Sequence, residues 1–169
     1  MGPSGNFSGI LPLWADAGYR LSKRFTVGAY FQYGFLFVPE DRCSSPPLTG
    51  CTAHDIRFGA ELHFHILPLS AVDPWVGLGI GYEASTLTIR NEEQSATRTN
   101  GGLEIANLQL GADVHSTFGF DWGPFGSFSV NEYATETQSL PDGSTKTYSL
   151  QEATIHFFLV LGMRAQFDL

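Results

Sequence analysis

Residues 55–66 read DIRFGAELHFHI. Asp55, Arg57, Gly59, Glu61, His63 and His65 fall in one phase of a two-residue repeat, and Ile56, Phe58, Ala60, Leu62, Phe64 and Ile66 in the other. Side chains of a β-strand point alternately to opposite faces, so this segment has one wholly apolar face and one strongly polar face. A soluble sheet hides its apolar face under a helix or a second sheet. Here nearly every strand-like run repeats the pattern and no segment offers a covering helix. The arrangement fits an all-β, up-and-down antiparallel barrel with apolar residues outside and charges inside, which is the layout of a transmembrane β-barrel.

The totals agree with this reading. The chain of 169 residues is expected to form a single domain over 1–169. Charged residues make up 15%, well under the usual quarter of a soluble domain, while 14 Phe, 6 Tyr, 3 Trp and 19 Gly are abundant. No apolar run approaches the ~20 residues that a membrane-spanning helix needs. The longest, near Ile155–Met163, is broken by His156. A net charge of −8 argues against nucleic acid, whose phosphates require clustered Lys and Arg.

Cys43 and Cys51 lie close together in the polar stretch DRCSSPPLTGC. No Cys/His cluster accompanies them, so metal binding is disfavoured. A disulfide closing a short loop outside the reducing cytosol is preferred over two free thiols. An envelope protein is expected to enter through a signal peptide, and Met1-Gly-Pro-Ser is not one. The expectation is therefore a mature chain or one shortened upstream.

Seven strand-like runs stand out, near residues 10–20, 25–37, 53–66, 74–89, 102–115, 123–134 and 152–169. The connections alternate in length. Short turns are expected at Leu21–Arg24, Leu67–Asp73 and Ser116–Trp122, and long polar loops at Pro39–Thr52, Arg90–Gly101 and Thr135–Gln151, the last with the turn signal Pro141-Asp142-Gly143. In outer-membrane barrels the short turns are periplasmic and the long loops extracellular. Seven is an awkward number, because an up-and-down sheet closes antiparallel only with an even count. Residues 1–9 are too few and too Gly-rich to supply the ~9–11 residues of a spanning strand. An eight-stranded type lacking its N-terminal strand is expected; a truly odd-numbered or open sheet is the alternative.

Strand by strand, the lipid face is expected to carry Leu11, Leu13, Val27, Phe31, Phe35, Val76, Leu78, Ile80, Leu108, Leu110, Phe157, Leu159 and Leu161 with their phase-mates. The interior receives a polar network of Asp16, Arg20, Arg57, Glu61, His63, Glu83, Asp113 and Arg164, together with Tyr30, Gln32, Asn107, Gln109, Ser127, Ser129 and Asn131. Charges in a lumen this narrow must pair with one another or with a few waters. Gly77, Gly79 and Gly81 leave room for long neighbours to cross it. Folding back about the turn near Ser70 sets Arg57 opposite Glu83, and the turn near Lys23 sets Asp16 opposite Tyr30. Tyr19, Tyr33, Phe37, Tyr82 and Phe167 suit interfacial girdles, whereas Trp14 and Trp75 fall on the inner face, where they would plug. The run at 123–134 is the weakest, because Glu132 falls in the lipid phase.

Catalytic constellations are weak. Glu61, His63 and His65 share one face and could begin a metal or hydrolase site, yet the sequence places no further ligand or nucleophile beside them. Polar filling of the lumen is the preferred role, and His115 and His156 are read as boundary or lumen residues. Glu92 and Glu93 are expected to be solvated in a loop. No Gly-x-Ser-x-Gly elbow, phosphate loop or His-Glu-x-x-His occurs. No enzyme activity, cofactor or metal is expected.

The stretch DPWVGLGIGYE (Asp73–Glu83) resembles the Pro-aromatic-x-Gly-x-Gly-x-Gly-Tyr strand of small outer-membrane β-barrel proteins of the OmpA/OmpW-like and opacity-like kind. Ala15–Phe35, Asp55–His65 and Asn107–Val114 sit where that family has successive strands. The terminal FFLVLGMRAQFDL resembles the last-strand signal read by the outer-membrane assembly machinery, although it ends in Leu169 with Phe167 two residues before. The resemblance covers roughly residues 10–169. It implies a bacterial outer-membrane location, outer-membrane lipid and the assembly machinery as partners, and one further strand before residue 10. It does not imply one activity, since this fold hosts structural proteins, channels, adhesins and lipid enzymes. A plugged structural or surface-interaction protein is the leading expectation, with a small pore or hydrophobic-ligand conduit as the alternative. A soluble ligand-binding barrel comes third, because it would need the opposite sidedness.

Overall fold

A computed structural model describes residues 9–38, 48–91, 95–115, 120–140 and 143–167. They form one seven-stranded antiparallel sheet in simple chain order, with no helix among them. The strands are β1 (Gly9–Arg20), β2 (Phe25–Phe37), β3 (Leu48–His65), β4 (Val72–Asn91), β5 (Ser95–His115), β6 (Phe120–Ser139) and β7 (Thr145–Phe167). Each pairs with the next in the chain. Asp16 lies opposite Tyr30, and Arg57 opposite Glu83, in register.

The sheet curls on itself without a ladder between β1 and β7 among the described residues. Following the paired positions from Asp16 leads through Tyr30, Gly59, Gly81, Glu104 and Asn131 to His156 on β7. The residue that reaches Asp16 across the seam is instead Arg164, at 3.5 Å, eight positions beyond His156. Such a stagger is what tilting strands into a barrel requires. Both edge strands run in the same direction, so neither can pair antiparallel with the other. The seam holds a cavity of about 210 Å³ lined by Trp14, Asp16, Phe125 and Arg164 among others.

The polarity is inverted relative to a soluble protein. Outward-facing Leu13, Ile80, Leu103, Phe157, Leu159 and Leu161 are all exposed, Leu161 at 78%. Arg57, Glu83, Glu104 and Asp55 are buried inside. Aromatic pairs stud the outer surface, Phe25 with Phe64 and Phe128 with Phe157.

All three expected long loops are partly strand: Leu48–Thr52, placed in the first of them, open β3. Residues 95–101 continue β5, and Thr135–Ser139 and Thr145–Gln151 continue β6 and β7 around a tight turn. That turn is closed by Leu140 N–H to Ser144 O (2.9 Å) and Gly143 N–H to Leu140 O (3.0 Å), with Gly143 at φ 81°. A positive φ there suits glycine, which has no Cβ to clash. Polar composition suggests loops, but Thr is a good strand former. Hydroxyls pair directly across these extensions: Thr86 with Thr99, Thr88 with Thr97, and Thr137 with Thr147, at 3.1–3.2 Å. Cys51 sits in β3 opposite Ile89. Its expected partner Cys43 lies outside the described residues, as do Glu92, Glu93 and residues 1–8.

Bulges adjust the inward phase. β5 carries an extra residue between Glu104 and Ala106, so Leu103 and Ile105 face outward while Glu104 turns in. β6 and β7 slip near Ala134. One inserted residue reverses which face the following side chains occupy.

Candidate functional site: the filled lumen

The chemistry of this chain is concentrated inside the barrel, in two layers that join opposite walls. Arg57 of β3 centres the upper layer and is 1% exposed. Its Nε donates to Asp55 at 2.8 Å and its Nη1 to Ser129 of β6 at 3.1 Å; Glu104 of β5 stands 4.0 Å away. The guanidinium also lies 4.0 Å from the centroid of Phe158 on β7, a cation–π contact that adds attraction where water is scarce. Around it, Tyr30 of β2 donates to Glu104, and Tyr133 of β6 donates to Glu83 of β4 at 2.6 Å. His156 of β7 approaches the same Glu83 carboxylate at 3.0 Å and stacks on Tyr133. Side chains from six strands thus meet in one network.

The lower layer is a relay. The Gln109 side-chain nitrogen donates to Glu61 at 3.0 Å, which turns its oxygen toward His63 Nε2, also at 3.0 Å. His63 Nε2 therefore donates, and its Nδ1 is left to accept from Arg164 at 3.4 Å. Arg164 lies over Trp75, at 4.7 Å, and Trp75 is tilted against His63. Trp75, 2% exposed, is the largest fully buried side chain among the described residues. Trp14 stacks on Tyr30 at 5.1 Å beside the seam. Below, His65 Nδ1 meets Asp73 at 2.7 Å, with its Nε2 3.4 Å from Thr26.

Glycines make the space for these bulky groups. A Cβ on Gly77 would stand 2.6 Å from His63 Cδ2 and 3.2 Å from Gln109 Cβ. Gly77→Val should force the relay apart and cost about 1–3 kcal/mol. The check is a lower urea midpoint in detergent with an unchanged m-value.

Of the residues expected in the lumen, Asp16, Arg57, Glu61, His63, Glu83, Asp113 and Arg164 lie on the inner wall, buried or nearly so. Arg57, Glu83 and their neighbours meet in the upper layer, while Asp16, Glu61, His63 and Arg164 meet in the lower. Asp113 is buried opposite Asp73. Arg20 shares the inward phase of Asp16 but ends β1 at the barrel's mouth and is exposed there. Glu104 escaped sequence reading altogether, since simple alternation from Leu108 and Leu110 puts it in the lipid phase. The signal was present nonetheless. Ile105 and Leu108 are three apart, a spacing that keeps both outside only if one residue is inserted.

Among the described residues no group of three or more His, Cys, Asp or Glu could hold a metal ion. Glu61, His63 and His65 share the inner wall, but His63 is bound to Gln109 and His65 to Asp73.

No family model and no curated protein matches the chain in sequence. In structure it is similar to the crystal structure of a major outer membrane protein from Thermus thermophilus. The two share 14% identity at a TM-score of 0.57, over 96% of this chain and 92% of the other. At that identity the likeness concerns the fold, and the fold is that of an outer-membrane β-barrel. The apolar exterior is the surface such a fold presents to acyl chains. A soluble ligand-binding barrel would need the reverse arrangement, with Leu159 and Leu161 inside and Arg57 outside.

Proposed function

We propose that this chain is an integral protein of a bacterial outer membrane with a structural or surface-interaction role and no enzymatic activity. The observation that carries the reading is the cross-barrel network, in which Arg57, Glu83, Glu104, Tyr30, Tyr133 and His156 fill the upper lumen. Trp75, His63 and Arg164 fill the level beneath. A lumen occupied by interlocked side chains blocks steady flow. What remains for contact with the outside is the set of strand extensions beyond the apolar band, faced with paired Thr hydroxyls. The resemblance of Asp73–Glu83 and the terminal strand to OmpA/OmpW-like barrels supports the same assignment, with outer-membrane lipid and the assembly machinery as partners.

Planar-bilayer recording tests it. The protein should insert and give no steady unit current in potassium chloride. Regular conductance steps from the wild-type protein would favour the small-pore reading instead.

A further inference from the structure

The chain carries 17 acidic residues against 9 Lys and Arg, yet Arg20, Lys23 and Arg24 fall within five consecutive positions at the first short turn. Ser22 orders that turn: its Oγ accepts from the backbone N–H of Arg24 and of Phe25, each at 3.2 Å, while Leu21 N–H donates to Phe25 O. The neighbouring β3–β4 turn is equally fixed. Ser70 N–H donates to Leu67 O at 3.0 Å, and Leu67 N–H donates to Asp73 Oδ1 at 3.1 Å. Arg24 O accepts from His65 N–H at 2.8 Å, which ties the first turn to β3.

Between the two turns lies an open groove of about 470 Å³. Lys23 and Arg24 line one side, and Ile66, Leu67, Leu69 and Ser70 the other. Leu69 is 81% exposed at the turn tip. No carboxylate lines the groove among the described residues. Asp73, the nearest acid in sequence, is buried beneath and engaged by His65 and Leu67.

Cations beside bare aliphatic groups, immediately below an apolar belt, match one kind of occupant. We propose that the groove is a binding site for an anionic phospholipid of the periplasmic leaflet. Its phosphate sits between Lys23 and Arg24, and the first methylenes of its acyl chains lie over Ile66, Leu67 and Leu69. Long basic side chains at a membrane boundary keep their stems along apolar surface while the head seeks phosphate. A zwitterionic lipid brings its own ammonium beside the phosphate and so offers Lys23 and Arg24 no net negative charge. A water-soluble anion leaves the leucines in water.

The inference rests on the membrane reading above, and the experiment separates the two. Wild-type protein, Lys23→Gln/Arg24→Gln and Leu67→Ser/Leu69→Ser are folded into phosphatidylcholine vesicles with and without phosphatidylglycerol. They are then extracted in mild detergent, and co-purifying lipid is read by native mass spectrometry. All three should insert. The wild type should retain phosphatidylglycerol over phosphatidylcholine, and loss of both cations should weaken that preference about tenfold. The leucine variant should reduce retention of both lipids. Failure of every protein to insert overturns the membrane reading itself. Insertion with equal retention of the two lipids overturns the lipid assignment and leaves the groove to a periplasmic protein. Displacement of the lipid by glycerol phosphate at matched concentration overturns it too, because the apolar wall then contributes nothing.

Discussion

Leu62→Arg is expected to cost the folded barrel about 2–4 kcal/mol, the penalty for a cation near the midplane of a lipid-facing wall. Leu62 sits near the centre of the outward apolar run Ile56–Ile66 at the end of β3, flanked in register by Val27 on β2 and Leu78 on β4. All three side chains point away from the lumen and are exposed. An arginine there has no carboxylate neighbour on its own face, and its guanidinium must climb several residues to reach water. The adjacent residue is the control. Glu61→Gln removes a charge from the inner wall but preserves an oxygen for Gln109, so about 1 kcal/mol or less should be lost. Urea unfolding in detergent or in thin bilayers, followed by the gel shift of the folded form, gives both numbers. A larger loss for Glu61→Gln than for Leu62→Arg would mean that the two faces are reversed.

The sidedness was legible in the sequence because β3 alternates without error and most of the other runs follow, the run at 123–134 least clearly. Register was legible where turns are short: the Ser70 turn places Arg57 beside Glu83, and the Lys23 turn places Asp16 beside Tyr30. Two features were not. The extensions of β5 to β7 beyond the apolar band are polar on both faces, so no hydrophobic alternation marks them, and runs such as Thr97–Thr99 look like loop while pairing as strand. The partners of Glu104 were hidden for a different reason. A bulge changes phase by one residue, and only the three-residue step from Ile105 to Leu108 betrays it. Cross-lumen contacts such as Tyr133 with Glu83 depend on barrel curvature and strand tilt, which pairwise hairpin reasoning does not contain. The seam follows from parity, since seven strands in chain order leave two edges running the same way.

Arg57→Leu should be the most damaging single change inside the barrel, at about 3–5 kcal/mol, because it leaves buried carboxylates without their cation. Asp55 loses a donor at 2.8 Å, Glu104 a charge 4.0 Å away, and Ser129 a donor at 3.1 Å. Glu83 retains Tyr133 and His156 and is hurt less. The stacking on Phe158 also goes. Arg57→Lys should fall between leucine and wild type: it restores charge but not the planar fork that serves Asp55 and Ser129 together. Since the cost lies in the stranded anions, removing one of them must return part of it. Asp55→Asn combined with Arg57→Leu should recover about 0.5–3 kcal/mol relative to the sum of the single losses, a coupling read from a double-mutant cycle of urea midpoints. Strict additivity would mean that bulk water reaches Arg57 and screens the pair. The network would then be a wet lining, and the plugged reading of the lumen would fall with it.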